Sequence, residues 1–146
     1  MAERPRLIGI NHVALEVEDL EAAIDFYGSV FSFEIRGRAP GMAFLDMGDQ
    51  FLALSEGRAQ PGDDGRHFGL VVDHIDLVRE RLEAVGAEVL PSRGLDFRDP
   101  SGNHVQVVQY SEIQFSKTVG VLEGMGADDL GKDPETLQEL REKRVT

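Results

Sequence analysis

Cysteine is absent from this 146-residue chain, and so is tryptophan. No disulfide, thiolate metal site or cysteine nucleophile is therefore available to it. Basic residues are scarce: 15 Lys and Arg stand against 27 Asp and Glu, a net charge of −12. That balance argues against a nucleic-acid partner, whose phosphate backbone calls for a basic face. The acidity reads as a well-solvated surface. Long apolar runs are missing too. Nothing approaches the ~20 apolar residues of a membrane span, and the start, Met1 to Arg6, lacks the apolar core of a signal peptide. No membrane partner and a cytoplasmic location are expected. With 41% hydrophobic and 29% charged residues, the chain is a soluble globular protein by composition. Its length suits one compact domain or two half-domains sharing a core.

What the chain does have is an internal repeat. Asn11-His12-Val13-Ala14-Leu15-Glu16-Val17 is echoed by Arg66-His67-Phe68-Gly69-Leu70-Val71-Val72. The stretch Phe97 to Gln109, with a tight Asp99-Pro100-Ser101-Gly102 turn, is echoed by Phe44 to Leu54. Asp46 and Ala53 are seven apart, as are Asp99 and Gln106. His12 precedes Asp46 by 34 residues, and His67 precedes Asp99 by 32. A period of about fifty residues means two copies of one structural unit.

Periodicity within each copy gives the unit. Residues 7–17 alternate as a strand, with Val13, Leu15 and Val17 on one face and His12, Ala14 and Glu16 on the other. Asp19 reads as the N-cap of a helix whose stripe is Leu20, Ala23, Ile24, Tyr27 and Phe31. Residues 33–38, 41–47 and 50–55 read as short strands. Residues 56–66 have linker composition. The second copy opens with a strand at 67–72, with Phe68, Leu70 and Val72 opposite His67, Gly69 and Val71. Asp73 is the expected cap of a helix with stripe Ile75, Val78, Leu82 and Val85, closed by Gly86. Strands at 87–90, 94–99 and 103–109 follow. The expected architecture is α+β: two β-α-β-β-β modules (7–56 and 66–110) and a short C-terminal helical extension (111–146). Within that extension 111–129 is mixed and Gly-rich, and Asp133-Pro134-Glu135 opens a helix. It is either a surface tail or a segment that covers the ligand site or exchanges with a second subunit.

Asn11-His12-Val13, the run from Asp19 to Tyr27, and Asp99-Pro100-Ser101-Gly102-Asn103 together resemble the vicinal oxygen chelate superfamily. That superfamily groups glyoxalase I, bleomycin-resistance proteins, fosfomycin-resistance enzymes, methylmalonyl-CoA epimerase and extradiol dioxygenases. The resemblance covers roughly residues 7 to 110. It implies strands forming a half-open barrel around a cup with helices outside, a small-molecule substrate or ligand, and a homodimer. Ser32 departs from the helix-ending glycine frequent in the family.

The resemblance also implies a metal site. Its four ligand positions fall on His12, Ala53, His67 and Gln106, where relatives mostly carry His and Glu. Alternation independently places His12, His67 and Gln106 on strand faces opposite the helix-facing ones. Two imidazoles with an oxygen donor suit a divalent ion such as Mn, Fe, Co, Ni or Zn. The set is weakened, because Gln106 is neutral where a Glu is usual and Ala53 supplies no donor. Neither can act as the carboxylate base of glyoxalase or epimerase chemistry, and the His-His-Glu set on which fosfomycin-type opening and extradiol ring cleavage rely is incomplete too, so each familiar reaction of the superfamily is disfavoured.

His104, two residues before Gln106 on the same face and about 6–7 Å away along the strand, reads as a catalytic base, a substitute ligand, or a hydrogen-bonded residue at the cup mouth. Glu16, about 13 Å from His12 at strand rise, reads as a group handling a polar part of the substrate or as a rim charge. Phe44, Phe51 and Phe97 line the cup or belong to the core, and His74 is expected to be exposed. Two functions compete. One is metal-assisted chemistry on an oxygen-chelating substrate, as a lyase, isomerase or dioxygenase. The other is metal-free sequestration of a ligand in the manner of the bleomycin-resistance proteins.

Overall fold

The computed structural model of the chain describes residues 4–5 and 10–145. In the first module, strand β1 (His12–Val17) leads into helix α1 (Leu20–Val30), then β2 (Ile35–Ala39), β3 (Met42–Asp46) and β4 (Phe51–Glu56). In the second, β5 (His67–Val72) leads into α2 (Ile75–Ala84), then β6 (Glu88–Leu90), β7 (Leu95–Arg98) and β8 (His104–Gln109). Residues 7–9, expected to begin the first strand, lie outside the described residues. Each module forms one four-stranded mixed sheet, ordered β1-β4-β3-β2 and β5-β8-β7-β6. The first strand of each runs parallel to the last, and the rest are antiparallel. The sheets are not closed into a barrel, which leaves the cup half open.

Alternation decides which face is buried. Leu15, Val17, Leu52, Leu54, Ala43 and Leu45 cluster with Leu20, Ala23 and Tyr27 of α1. Leu95, Phe97, Val105 and Val107 cluster with Val78 and Leu82 of α2 and with Val30 from the end of α1. Phe26, Phe31 and Phe68 pack against both clusters, so the modules share a continuous apolar layer on their helix side. Phe97 belongs to this core, fully buried, whereas Phe44 and Phe51 are half-buried on the opposite face.

The repeat extends to the helix starts. Asp19 caps α1 through Ala22 N at 2.9 Å, and Glu56 at the end of β4 accepts from Leu20 N at 2.9 Å. The cap of α2 differs from expectation. His74, not Asp73, occupies the cap position and makes no side-chain bond there. The first helical N–H of α2, on Ile75, is taken by Gln109 Oε1 at 3.1 Å. Gln109 is the repeat counterpart of Glu56, so the strand end does what the local acid was expected to do. Asp73 accepts from His74 N instead. Val85, assigned to the apolar stripe, is 39% exposed; Gly86, at φ +67°, takes the left-handed position that closes the helix.

The Asp99–Asn103 turn stitches the modules together. Asp99 accepts from Tyr27 Oη and Asn103 Nδ2 with one oxygen, and from the backbone N–H groups of Ser101 and Asn103 with the other, all at 2.9–3.0 Å. Burial, and then the Asp99 charge, push the Tyr27 hydroxyl well above the usual phenol range, so it stays a donor. Asn103 Nδ2 also donates to the Glu16 carbonyl of β1 at 3.0 Å. Gly102 sits at φ +93°, where a Cβ would stand 2.7 Å from the Gly62 Cα, so turn and linker meet through two glycines. The 56–66 stretch is ordered around Arg58, whose guanidinium donates to Asn103 Oδ1 and to the Pro61 carbonyl.

The C-terminal extension contains two helices where one was expected. Helix α3 (Val119–Gly124) forms within the Gly-rich part, and α4 (Pro134–Glu142) starts at its Asp133 cap. Lys117 Nζ donates to the Met47 carbonyl and to Asp49, fastening the extension to the β3–β4 turn. Gly48 in that turn is covered by Met125 and Val121; a Cβ there would reach 2.5 Å from Met125 Sδ. Lys132 Nζ donates to the carbonyls of Tyr110, Ile113 and Phe115. Among the described residues no helix is long and apolar enough to cross a membrane.

Candidate functional site

The strand faces turned away from the helices carry the residues expected to do chemistry. On β1 these are His12, Ala14 and Glu16, all exposed; on β5 they are His67 and Gly69, also exposed. On β8 they are His104 and Gln106, both half-buried.

His12 lies flat on Phe51, its register partner on β4, with ring centroids 4.8 Å apart and planes at 7°. Phe44 meets Phe51 edge-on and the Arg36 guanidinium lies over its ring. Arg36 is held by Asp46 at 3.0 Å and the Gly48 carbonyl at 2.8 Å. His12 Nδ1 bonds to Asn11 Oδ1 at 2.9 Å. His67 Nδ1 bonds to the Gly65 carbonyl at 2.8 Å. An oxygen acceptor fits hydrogen on Nδ1, and in the neutral ring that tautomer has its lone pair on Nε2, the form that binds a metal.

His104 is held differently. Its Nδ1 faces the Asp64 carbonyl and its Nε2 faces Asp96 Oδ2, each at 2.6 Å. Both nitrogens are committed. Register pairs His104 with His67 across β5–β8, with ring centroids 5.0 Å apart. Gln106 is paired with Gly69 on one side and with Asp96 on the other.

Asp96 is a residue that sequence reasoning missed. Its side chain is 10% exposed, and its Oδ1 is buried with no hydrogen-bond partner among the described residues. Burial pushes its carboxyl up, but the Ser92, His104 and His67 side chains around it outweigh that and leave it below the usual carboxylate range. Alternation along Leu95-Asp96-Phe97-Arg98 would have put Asp96 on the open face; that it stands opposite Gln106 needed the register.

The structure thus brings His67, His104, Gln106 and Asp96 together on one sheet. His12 and Glu16 lie on the other. The ring contacts of His12 are to Phe51 and those of His67 are to His104. Among the described residues no three His, Asp or Glu side chains form a set able to hold a metal ion. Glu16 joins the inter-module stitching through its carbonyl and leaves its carboxylate in solvent.

Comparison with known proteins gives the family. A model described as the Glyoxalase/Bleomycin resistance protein/Dioxygenase superfamily matches residues 9–107. The metallothiol transferase FosB of Bacillus licheniformis is 28% identical over 119 residues, covering 72% of this chain and 77% of that protein. The glutathione transferase FosA of Serratia marcescens is 26% identical over 113 residues, covering 69% and 80%. Among solved structures, a lactoylglutathione lyase from Agrobacterium tumefaciens superposes with a TM-score of 0.57 at 29% identity, covering 70% of this chain and 93% of that one. The fosfomycin resistance protein FosX of Listeria monocytogenes, complexed with Mn(II) and sulfate, shares the fold with a TM-score of 0.63 at 18% identity, covering 82% and 99%. Repeat, sheet order and family model agree, and the chain belongs to the glyoxalase/bleomycin resistance/dioxygenase superfamily.

Proposed function

We propose that the chain binds a divalent metal ion through His12 Nε2, His67 Nε2 and Gln106 Oε1, and uses it on a small molecule that offers oxygen ligands. The observation that carries this reading is the pair of ligand-ready imidazoles. His12 and His67, at equivalent places in two repeats, both point Nδ1 at an oxygen and so leave Nε2 free. His104, with both nitrogens engaged, does not. A divalent ion held by His12, His67 and Gln106 would supply Lewis-acid polarisation of a substrate oxygen.

The chain's own residues divide the remaining work. Phe51, backed by Arg36, holds the His12 ring in place. Phe44 and Phe51 give the substrate an apolar wall. Glu16 is the free carboxylate on the open face and the group available for proton transfer, whereas His104 anchors the 60–66 loop. The weak charge of the donor set makes an anionic substrate group part of the binding. The names of the relatives include thiol transferases, so electrophilic substrates offered with a thiol are the first class to test.

A homodimer is part of this reading. His12 and His67 stand exposed on separate open sheets, and a second copy covering both faces would bring the divided set together. The alternative is a metal-free protein that sequesters a ligand against the Phe44–Phe51 wall, favoured by the lack of a carboxylate at 53 and 106.

Elemental analysis of untagged protein, paired with melting after chelation and after addition of Mn(II), Co(II), Ni(II) or Zn(II), separates the two. Near-stoichiometric metal whose removal lowers Tm supports the metal reading, since a ligand of the folded state raises Tm. No metal and no shift would retire it in favour of sequestration.

A further inference from the structure

One row of paired residues crosses the second sheet on its open face. Glu88 of β6 pairs with Arg98 of β7, Arg98 with His104 of β8, and His104 with His67 of β5. Neighbouring strands lie about 4.8 Å apart, so each member stands within reach of the next. Glu88 accepts from Arg98 Nη1 at 2.7 Å, and the two imidazoles lie 5.0 Å apart. Three successive carbonyls of the linker cap the row, one for each of its last three members. Arg98 Nε donates to the Asp63 carbonyl at 3.0 Å. His104 Nδ1 bonds to the Asp64 carbonyl at 2.6 Å, and His67 Nδ1 to the Gly65 carbonyl at 2.8 Å.

A straight strand could not aim three carbonyls in succession at one row, because alternate ones turn away. The chain bends at Asp64 and Gly65, which brings all three to the sheet. Upstream, the linker is fixed by Arg58. That side chain is 1% exposed and donates through Nε to the Gln60 carbonyl and through Nη2 to the Pro61 carbonyl. Asp63 N donates to the Gly102 carbonyl at 2.8 Å. Beyond this point the linker meets the row through Arg98, His104 and His67. Of these three, Arg98 alone is a donor of fixed charge, whereas each imidazole can move its hydrogen between nitrogens. Arg98 also grips the linker twice, at the Asp63 carbonyl and, through Nη2, at the Asp64 carboxylate.

We propose that Arg98 is a positioning residue for His67: by fixing Asp63 and Asp64 over the row, it holds the Gly65 carbonyl against His67 Nδ1 and keeps the neutral ring with its hydrogen on Nδ1 and its lone pair on Nε2. The tautomer of a histidine is set by the hydrogen bond that one of its nitrogens makes. Arg98 acts through the linker alone, two members of the row away from the ring it sets. For its use in function this rests on the reading of His67 as a working imidazole, but the state of the ring itself needs no bound ion.

Imidazole nitrogen spectra of the metal-free full chain test this, with ¹⁵N-labelled histidine at about pH 8.5, well above the ordinary histidine value of about 6.5. In the wild type His67 is expected to show a protonated Nδ1 and a bare Nε2. Arg98→Met is expected to lower the ratio of the Nδ1–H to the Nε2–H form of His67 about 5-fold, the equivalent of one ordinary hydrogen bond. Arg98→Lys, which keeps a cationic donor, restores most of it. His12, bonded to Asn11 in the other module, does not change. A purely structural Arg98 would lower Tm in Arg98→Met and leave the His67 tautomer as it was, and that result would overturn the proposal. A wild-type His67 carrying its hydrogen on Nε2 would overturn it too, with no variant needing to fold. Elemental analysis that finds no metal in the wild type sinks the metal reading instead, and the metal-free spectra still decide the role of Arg98.

Discussion

The imidazoles of His67 and His104 lie 5.0 Å apart, and the chain uses them in opposite ways. His67 gives one nitrogen to the Gly65 carbonyl and keeps the other free. His104 gives one to the Asp64 carbonyl and the other to Asp96. Two neighbouring carbonyls of one loop therefore hold both rings through Nδ1.

His12→Ala and His67→Ala are expected to leave stability within about 0.5 kcal/mol of wild type, because both side chains are exposed. Each should abolish the rise in Tm that a divalent metal produces. His104→Ala is expected to do the reverse in part, lowering the stability of the metal-free protein by leaving Asp96 buried without its partner. Melting curves with and without metal check all three.

Removing the strand-end caps should fray the helix starts. Glu56→Ala and Gln109→Ala each free one N–H, on Leu20 and Ile75, at a cost of about 1 kcal/mol, the scale of a lost N-cap. Hydrogen exchange at those two amides is expected to speed up while the strand amides keep their protection.

Asp99→Ala should be far more damaging. It strips acceptors from Tyr27, Asn103 and two backbone N–H groups in a buried setting, a loss on the order of 3 kcal/mol. Urea unfolding measures it, and a value near zero would mean that the turn does not hold the modules together.

Acid is expected to loosen the C-terminal extension at its Lys117 anchor. The bond from Lys117 holds the Asp49 carboxyl below its ordinary value, against the opposing effect of burial. A carboxyl with a depressed folded pKa adds stability above its unfolded value of about 3.9 and loses it as pH falls through the lower folded value. Exchange rates across 117–125 should therefore rise on acidification below about pH 4, and Asp49→Asn should raise them at neutral pH and flatten that dependence.

Much of the fold was legible because the chain writes it twice. The repeat and the two-residue alternation gave the β-α-β-β-β order and the faces bearing His12, His67 and Gln106. What escaped depends on contacts between distant residues. Helix α3 has glycines at 120 and 124 and weak propensity of its own; it forms where Val121 and Met125 settle on Gly48. The cap of α2 comes from Gln109, 34 residues further along, so local pattern pointed to Asp73. Asp96 looked like an ordinary strand acid until register set it across from Gln106. The diagnostic Asp99–Asn103 stretch turned out to bind the modules to each other, and the open face beside it carries the candidate chemistry.

Electron spin echo modulation of Mn(II)-loaded protein carrying ¹⁵N-labelled histidine tests most directly whether His12 and His67 bind a divalent metal through Nε2. The expected result is modulation from two imidazole nitrogens in the wild type and from one in His67→Ala. A spectrum showing Mn(II) surrounded by water alone, unchanged by either histidine substitution, would contradict it.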